Sequence, residues 1–484
     1  MNSGSEGTAM NCSSHIILIQ SCKQSLITEK YSERYPYPPI GLLYISNIGE
    51  MNGYDVTILD LYLEPMGRRE FLKRLEGLDK PVLVGISSYT DSILDAYKIA
   101  AAVKGFYGNI PIIMGGAHVS FMYESVMREC PVVDYCCIGE GEAVLVELLE
   151  YLRYGSPVLS SIKSLVYRGP DGEPVANEKR GFVDFLDIAP FPWFSEKMQN
   201  CIKNDGGIIF VSSRGCPGEC VFCASRALSG SKYRYHSAEW IASLVYFYQR
   251  FIPFRMYGPL DDTFTVNRTR LKKFVTYMKQ MNMCLPWSCK SRVDVIDNEL
   301  VEILHSANCI LVHIGVESGD DDVLRAIKKR ITVDDILNAI SLLSSKGIRA
   351  ECSFILGHPT DSLESMERTL ILASKLDNSD VSISVVGICT PFPGTKIWNR
   401  IKEYGLRINS YNWRTFDLGT PIFSTDKFTL NDLRRAFFFF NYSSKAGQGM
   451  PGLTEYDHSP YVKKIDHFMY EIKTMKANMK KDGA

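Results

Sequence analysis

The sequence predicts an α/β protein built from two successive parallel sheets. The first is a Rossmann-like, doubly wound sheet, and the second is a partial (β/α)6 TIM-like barrel. Two observations lead to this prediction. Short runs rich in Ile, Val and Leu alternate with helical patterns, as in sheets covered on both faces. The alternation is interrupted once, between residues 155 and 205, by a hairpin signal and a stretch rich in Pro and aromatic residues.

The first unit is expected to span residues 1–154. Five apolar runs are its strand candidates: His15–Ser21, Asp55–Leu61, Pro81–Ser88, Pro111–Gly116 and Asp134–Glu140. Helical patterns accompany them at Ile40–Met51, Arg68–Leu78, Ser92–Tyr107, Val119–Arg128 and Glu142–Arg153. Because crossovers between parallel strands are right-handed, ligands are expected at the carboxyl ends of these strands.

Residues 155–205 are expected to link the two units. The turn sequence Pro170-Asp171-Gly172 between two short extended segments predicts a hairpin. The stretch Phe185–Phe194 that follows is rich in proline and aromatic residues. We therefore interpret this region as a linker that carries a small ribbon.

The second unit, residues 206–395, resumes the β–α alternation. Its strand candidates are Gly207–Ser213, Phe254–Pro259, Leu285–Ser291, Ile310–Glu317, Ala350–Gly357 and Val381–Ile388. Its helix candidates are Ala238–Arg250, Thr269–Met281, Asn298–Ala307, Val333–Lys346 and Leu363–Leu376. In such a barrel the chemistry is expected on the loops at the carboxyl ends of the strands.

The C-terminal segment, residues 396–484, has a looser pattern and is expected to form a helical cap or lid. Its stretch Leu430–Ser444 begins as a helix. The run Phe437–Phe440 within it is interpreted as part of a core or a lid rather than as a cofactor site.

Composition excludes several functional classes. The 484 residues carry 54 Lys+Arg against 55 Asp+Glu, so a broad surface for nucleic acid is not expected. No apolar run is long enough to span a bilayer, and the N-terminus lacks the pattern of a signal peptide, which predicts a cytoplasmic protein. The sequences typical of P-loop nucleotide hydrolases, serine hydrolases and zincins are also absent.

Three of the 14 cysteines form a compact motif. Cys216, Cys220 and Cys223 have the spacing C-x3-C-x2-C on a loop rich in Gly and Pro, directly after the first strand of the second unit. Thiolates select iron–sulfur clusters or zinc. Three protein ligands leave one coordination position of the metal centre open for a substrate, whereas a structural zinc site requires a fourth protein ligand. A Cys3His zinc site that includes His236 is the alternative.

The second unit, with this triad after its first strand, resembles the radical S-adenosylmethionine (SAM) superfamily. The resemblance implies that the cysteines hold a [4Fe–4S] cluster whose open iron binds SAM. Reductive cleavage of SAM would then give a 5′-deoxyadenosyl radical that abstracts a hydrogen atom from the substrate. The resemblance also implies a set of SAM contacts at the aromatic position of the cysteine loop and on the later strands: Phe222, Tyr257, Asp261, Asp262, Ser288, Arg292, Glu317, Ser318 and Gly357.

The first unit resembles the cobalamin-binding domain that precedes the barrel in one branch of this superfamily. Its glycine-containing strand ends would let a flat corrin approach the backbone closely. The resemblance implies cobalamin contacts from Gly85, Ser87, Ser88, Thr90, Gly115, Gly116, His118, Gly139 and Glu140. The Asp-x-His-x-x-Gly motif that supplies an axial histidine in some cobalamin proteins is absent, and the loop Cys22–Pro39 contains no histidine. Axial ligation of cobalt is therefore not predicted, and an empty, vestigial domain is the alternative.

Together these resemblances imply a cobalamin-dependent radical SAM enzyme that methylates an unactivated carbon. A non-methylating radical reaction, such as cyclisation, dehydration or rearrangement, is the second hypothesis, and a non-catalytic metal or cobalamin sensor is the third. The expected partners are a small-molecule substrate and an electron donor such as a flavodoxin or ferredoxin, with no nucleic acid and no integral membrane segment. The sequence does not identify the substrate or any catalytic residue beyond the cluster cysteines.

Overall fold

The computed structural model describes residues 14–23, 38–376 and 380–443. The expected start of the first unit (residues 1–13), most of the loop that lacks a histidine (residues 24–37) and the end of the C-terminal segment (residues 444–484) lie outside the described residues.

The N-terminal part is an α/β unit whose elements alternate as predicted. Its strands and helices are β1 (His15–Gln20), α1 (Ile40–Met51), β2 (Asp55–Asp60), α2 (Arg68–Glu76), β3 (Leu83–Ser87), α3 (Ile93–Tyr107), β4 (Ile112–Gly115), α4 (Ala117–Glu129), β5 (Tyr135–Cys137) and α5 (Glu142–Tyr154). The five strands pair in parallel in the order β2-β1-β3-β4-β5. This order reverses between β1 and β3, so the carboxyl ends of these two strands form a ligand-binding crevice.

The predicted hairpin is present, but it belongs to the first sheet. It consists of β6 (Leu165–Arg168) and β7 (Pro174–Ala176), and β6 pairs antiparallel with β5. The first sheet therefore has seven strands, because the hairpin satisfies the edge that β5 would otherwise expose. The helix α6 (Glu196–Asp205), which the sequence analysis did not predict, ends this region, and the Ser195 side chain caps its start.

The second sheet is the predicted partial barrel. Its region contains β8 (Gly207–Phe210), β9 (Ser213–Arg214), α7 (Ser225–Ser229), β10 (Arg234–Tyr235), α8 (Ala238–Phe251), β11 (Met256–Pro259), α9 (Arg268–Gln280), β12 (Trp287–Ser291), α10 (Asn298–Ser306), β13 (Cys309–Glu317), α11 (Asp321–Ala326), α12 (Val333–Ser344), β14 (Arg349–Leu356), α13 (Leu363–Leu376) and β15 (Val381–Ile388). Six parallel strands follow one another in the order β8-β11-β12-β13-β14-β15. The expected fold class is confirmed.

The two faces of the second sheet differ in what covers them. Alternate residues such as Val312, Ile314 and Val316 are fully buried in the core that the sheet shares with helices α8 to α13. The residues between them point to the opposite face, which we call the inner face of the barrel.

The C-terminal segment contacts both sheets. It contains α14 (Lys396–Asn399), β16 (Arg407–Ile408), β17 (Phe423–Ser424) and α15 (Leu430–Ser443). Arg414 donates to the buried Asp95 of α3 at 2.8 Å, while Phe440 of α15 packs 5.4 Å from the Phe354 ring of β14. Within the described ranges, no helix combines the length and the apolarity that a membrane span requires.

Candidate active site between the two sheets

The cysteine loop is held in place by backbone contacts to two neighbouring loops. Gly215, directly before the first cysteine, has a φ of 88°, and a Cβ there would lie 2.3 Å from the carbonyl oxygen of Lys232. The Cys216 amide donates to the Gly230 carbonyl at 3.2 Å, and the Val221 amide donates to the Ile327 carbonyl at 3.1 Å. The loop thus has a defined conformation at the carboxyl end of β8.

The three cysteine thiols lie close enough to influence one another's ionisation. Burial raises the pKa of all three, and the thiol charges interact in the pairs Cys216–Cys223, Cys220–Cys216 and Cys223–Cys220. Among the described residues, no three His, Cys, Asp or Glu side chains are placed as ligands of a single metal ion. Cysteine thiolates that neighbour one another on a loop are the usual ligands of iron–sulfur clusters.

The alternative zinc site would require His236 beside the thiols. Its Nδ1 instead lies 3.2 Å from Oδ1 of Asp187, and its ring stacks on Trp240 with 3.6 Å between the ring centroids. His236 is therefore a buried structural residue of the linker interface, and the geometry does not favour a Cys3His site.

Two cations flank the thiols. Arg292 lies against Gly218 of the cysteine loop and forms a two-point ion pair with Asp294, with distances of 2.8 and 2.6 Å. Lys329 Nζ lies 2.7 Å from Oε1 of Glu317. Burial alone would lower the pKa of Lys329, but the charges of Glu317 and Cys220 hold it above its usual value. A charged lysine thus lies beside the second cysteine.

The predicted SAM residue Glu317 has unusual backbone geometry. Its φ is 69°, a conformation that a residue with a side chain rarely adopts. This turn folds the carboxylate back over Gly315, where a Cβ would lie only 2.1 Å from Oε1. Such strain is typical of functional sites, where it fixes a polar group in position.

The acidic pair after β11 divides into an inner and an outer residue. Asp261 is fully buried and accepts from the Ser212 amide and hydroxyl, each at 2.6 Å, so it fixes the chain before the cysteine loop. Asp262 is exposed and accepts from the Ser225 hydroxyl at 3.1 Å, and that hydroxyl lies 3.3 Å from the Cys223 sulfur. Asp262 is therefore the member of the pair that borders the cysteines.

The remaining predicted SAM residues fall into two groups. The ring of Phe222 lies 5.4 Å from the ring of His358, and Ser288 lies on the inner face of the barrel against Gly258.

The other three predicted residues, Ser318, Gly357 and Tyr257, are packed away from the inner face of the barrel. The Ser318 hydroxyl lies 3.2 Å from that of Thr369, Gly357 is covered by Leu433 of α15, and Tyr257 stacks in the core 5.9 Å from Trp287.

A cavity of about 540 Å³ lies between the carboxyl ends of the first sheet and the cysteine end of the barrel. Six of the nine predicted cobalamin residues line it: Gly85, Ser87, Gly115, Gly116, Gly139 and Glu140. The barrel contributes Ser213, Arg214, Asp261 and Asp262 to the opposite wall. The glycines at the strand ends let a flat ligand approach the backbone closely, and apolar side chains such as Leu18 and Ile113 complete this wall.

The other three predicted cobalamin residues do not line the cavity. The Ser88 hydroxyl is buried and has no hydrogen-bond partner in the described part of the chain. His118 Nδ1 lies 3.2 Å from the Thr90 hydroxyl, and the His118 ring packs edge-on against Trp413 at 4.8 Å. Burial lowers the pKa of His118 to about 4. The structure therefore places His118 under the C-terminal segment.

Charged residues at the cavity edge join the two sheets. Glu140 forms ion pairs with Arg234 at 2.7 Å and Arg214 at 3.2 Å, and Glu142 pairs with Arg214 at 2.6 Å. Burial would raise the pKa of Glu140, but its contacts with the two arginines hold it below the usual value. The Arg214 guanidinium lies over the ring of Tyr44 at 5.6 Å.

Sequence reasoning missed Tyr44, Arg214, Arg234 and Lys329 as parts of this site. Arg214 could have been noticed because it stands two residues before Cys216. The other three carry no local signal, since long-range packing brings them to the cavity edge or to the cysteines.

Comparisons with known proteins identify the two units. Residues 32–149 match the model of the B12 binding domain, and residues 210–373 match that of the radical SAM superfamily. An uncharacterized methyltransferase of Pyrococcus horikoshii is 32% identical over 414 residues, which cover 83% of this chain and 87% of that protein. An anaerobic magnesium-protoporphyrin IX monomethyl ester cyclase of Rubrivivax gelatinosus is 24% identical over 82% of this chain and 72% of its own length.

Solved structures share the whole architecture. The radical SAM methyltransferase TsrM from Kitasatospora setae, with tryptophan and a SAM analogue bound, aligns over 98% of this chain and all of its own, with a TM-score of 0.72 and 14% identity. The cobalamin-dependent radical enzyme OxsB aligns over 81% of this chain and 56% of its own, with a TM-score of 0.64 and 19% identity.

Fold and site together define a radical SAM enzyme whose barrel follows a B12-binding domain. The chain belongs to the cobalamin-dependent branch of the radical SAM superfamily. The cofactors predicted from the sequence, a [4Fe–4S] cluster, SAM and cobalamin, are confirmed as those of this family.

Proposed function

We propose that the protein transfers a methyl group from SAM, by way of cobalamin, to an unactivated carbon of a small molecule. The observation that carries this proposal is a cavity with one wall from each sheet. The strand-end glycines of the B12-binding unit face Asp262 and Arg214 of the barrel across it. Two cofactors bound to these walls would lie within reach of one substrate, and such positioning lowers the barrier of a transfer between them.

When bound, the cluster and SAM supply a 5′-deoxyadenosyl radical, and cobalamin supplies the methyl group. The protein contributes ligands, charge and shape. Cys216, Cys220 and Cys223 would hold three irons of the cluster. Lys329 and Arg292 offer positive charge beside these cysteines, where the carboxylate of SAM would be received.

The rest of the site would position the two organic cofactors. Glu317 is held by Lys329 and is suited to accept from the SAM amino group, and Phe222 offers an aromatic surface for adenine. Gly85, Gly115, Gly116 and Gly139 would let the corrin lie against the strand ends.

A non-methylating radical reaction is the second candidate function. It is favoured by the relative named as a cyclase, which shares both units with this chain at 24% identity. The cavity walls described above do not distinguish ring closure from methylation, because both need the same cofactors side by side.

The proposed partners are an organic substrate and a low-potential electron donor such as a flavodoxin or ferredoxin. The reduced cluster is oxygen-sensitive, so we place the protein in an oxygen-poor cytoplasm. Nucleic acid is not proposed as a substrate, because the chain has almost equal numbers of basic and acidic residues.

The test is turnover with SAM that carries a deuterated methyl group. Protein reconstituted anaerobically with iron, sulfide and cobalamin would be supplied with a chemical reductant and a small-molecule extract of the source cells. We expect 5′-deoxyadenosine together with a new metabolite that has gained the labelled methyl group. The Cys220→Ala variant should form neither, since it loses one of three cluster ligands, whereas Cys284→Ala, an exposed cysteine elsewhere, should form both.

The outcomes separate the candidates. If 5′-deoxyadenosine forms and the only new products have lost hydrogen or water without gaining the label, methylation is wrong and the second candidate stands. If Cys220→Ala still cleaves SAM, the cluster assignment is wrong.

A further inference from the structure

Four polar residues lie side by side on the inner face of the barrel. Lys290 of β12 pairs in register with His313 of β13, His313 with Glu351 of β14, and Glu351 with Ser382 of β15. Residues in register on parallel strands point to the same face, and neighbouring strands are about 4.8 Å apart. The four side chains therefore form a continuous line across the sheet, which we call the polar row.

Burial of the flanking residues shows which face the polar row occupies. Cys289, Val312 and Cys352, which neighbour its members in sequence, are fully buried in the core beneath the helices. In the polar row, Lys290 is exposed, and the side chains of His313 and Glu351 retain 32% and 21% of their accessible surface. The row is thus open for contact on the inner face.

The charges of the polar row are unequal. His313 Nδ1 lies 3.3 Å from Oε2 of Glu351, so the one acidic member is already engaged with a potential cation. Lys290 has no side-chain hydrogen bond or ion pair within the described residues, and the same holds for Arg349, which stands two residues before Glu351 on the same face of β14. Asp380, which directly precedes β15 and so stands beside Arg349 on this face, balances part of this charge, but Lys290 and Arg349 remain without a side-chain partner among the described residues.

The cations closer to the cysteines, by contrast, each have a carboxylate partner. Lys329 pairs with Glu317, and Arg292 pairs with Asp294. His313 and Glu317 are four residues apart on the same strand, which corresponds to about 13 Å along the inner face. A small molecule held at the polar row could therefore extend towards the place where the cofactors would meet.

We propose that the polar row, with Arg349 beside it, binds an anionic group of the substrate, either a carboxylate or a phosphate. This inference rests on the proposed function, because it assigns the substrate class of the same site. Lys290 and Arg349 would supply charge-assisted hydrogen bonds to the anion, and Glu351 would orient His313 as a further donor. A wholly hydrocarbon substrate is disfavoured, since it would strip these charged side chains of water without replacing their hydrogen bonds.

The test is lysine footprinting of the purified full-length protein. The rate of reductive methylation of Lys290 would be followed by mass spectrometry at constant ionic strength in chloride, in acetate and in inorganic phosphate. We expect acetate or phosphate to slow the modification of Lys290 at least about threefold. The anion that slows the modification of Lys290 more, acetate or phosphate, shows whether the site prefers a carboxylate or a phosphate. Lys272, an exposed lysine of α9 paired with Glu299, is the internal control and should react equally in all three salts.

A second measurement tests the electrostatic argument independently. Glu351→Gln removes the acidic member of the polar row without changing its size, so protection of Lys290 should need less of the same anion, by about threefold. Three results would overturn the inference. They are weaker protection of Lys290 in the Glu351→Gln variant, equal protection of Lys272 and Lys290, and no protection of Lys290 by either acetate or phosphate. Failure of the proposed function is distinguishable, because it would be seen as turnover of the wild-type protein without a labelled methyl product, while the footprint could still stand.

Discussion

The two walls of the cavity are built by different physical means. The wall from the first sheet combines apolar side chains with four glycines at the strand ends, Gly85, Gly115, Gly116 and Gly139. The wall from the barrel carries charge, and its arginine Arg214 is held by two carboxylates. The first-sheet wall therefore selects a ligand by shape. The barrel wall instead depends on charged side chains that need oppositely charged partners.

This difference determines how each wall can fail. A glycine wall fails when a side chain is added, because the added atom meets a backbone that cannot move away. A charged wall fails when a side chain is removed, because a buried partner is left without compensation. Substitutions at the two walls should thus have distinct effects, and three of them test the comparison.

The largest effect is expected at the charged edge of the cavity. Glu140→Ala leaves Arg234, whose side chain is only 1% exposed, without its main partner. We expect a loss of about 3 kcal/mol in the free energy of unfolding, as for other broken buried ion pairs. Chemical denaturation followed by circular dichroism would measure it.

A surface ion pair of the same unit provides the control. Glu178 pairs with Lys163 and its side chain is 76% exposed, so Glu178→Ala should cost less than about 1 kcal/mol. Equal losses for the two variants would show that the Glu140 network does not join the sheets as described.

A smaller effect is expected at the glycine wall. Gly116 has a φ of 99°, and a Cβ there would lie 2.4 Å from the carbonyl oxygen of Ser88. Gly116→Ala should lose about 2 kcal/mol of stability through backbone strain, and the displaced Ser88 backbone should weaken cobalamin binding. Binding would be measured by the change in the visible absorption of added hydroxocobalamin.

Gly139 offers a matched variant at the same wall. Its φ is 78°, but nothing lies within 4 Å of an added Cβ. Gly139→Ala should therefore show backbone strain of about 1 kcal/mol without the steric effect on binding. If both variants bind cobalamin equally well, the close approach at Gly116 does not shape the cavity.

The comparison also shows what the sequence could predict. The strand and helix candidates agree closely with the structure, because the alternation of apolar and amphipathic segments is a local pattern. The strand-end glycines were predicted from the resemblance to a cobalamin-binding domain, and they line the cavity between the two sheets. The pairing of β6 with β5 was not predicted, since an edge contact depends on which strand happens to lie outermost.

The positions of two other residues, His118 and Lys329, could not be predicted from the sequence, for clear physical reasons. His118 lies in the same motif as Gly115 and Gly116, but it is the second residue of α4, and its side chain is packed under Trp413. Lys329 lies beside Cys220 in a turn where its two neighbours, Lys328 and Arg330, have φ values of 58° and 61°. A sequence motif shows neither the direction in which a helix presents a side chain nor which residues adopt a positive φ.

The last effect concerns His118, which lies outside both walls of the cavity. Burial lowers its pKa to about 4 from a usual value near 6.5, so the folded protein favours the neutral ring. A depressed histidine pKa gives stability that is complete above about pH 6.5 and is lost as the pH falls towards 4. At pH 5.5 the loss from this one group is about 1.4 kcal/mol.

His118→Gln should remove that part of the pH dependence, because glutamine does not titrate and can still bond to Thr90. The difference in unfolding free energy between pH 7.5 and 5.5 should therefore be smaller in the variant by about 1.4 kcal/mol. His305→Gln, at an exposed position of α10, controls for the substitution itself. An unchanged difference in His118→Gln would mean that the ring is already charged or hydrated, and that the C-terminal segment does not cover it. In that case His118 would again be available to a cofactor on the first sheet.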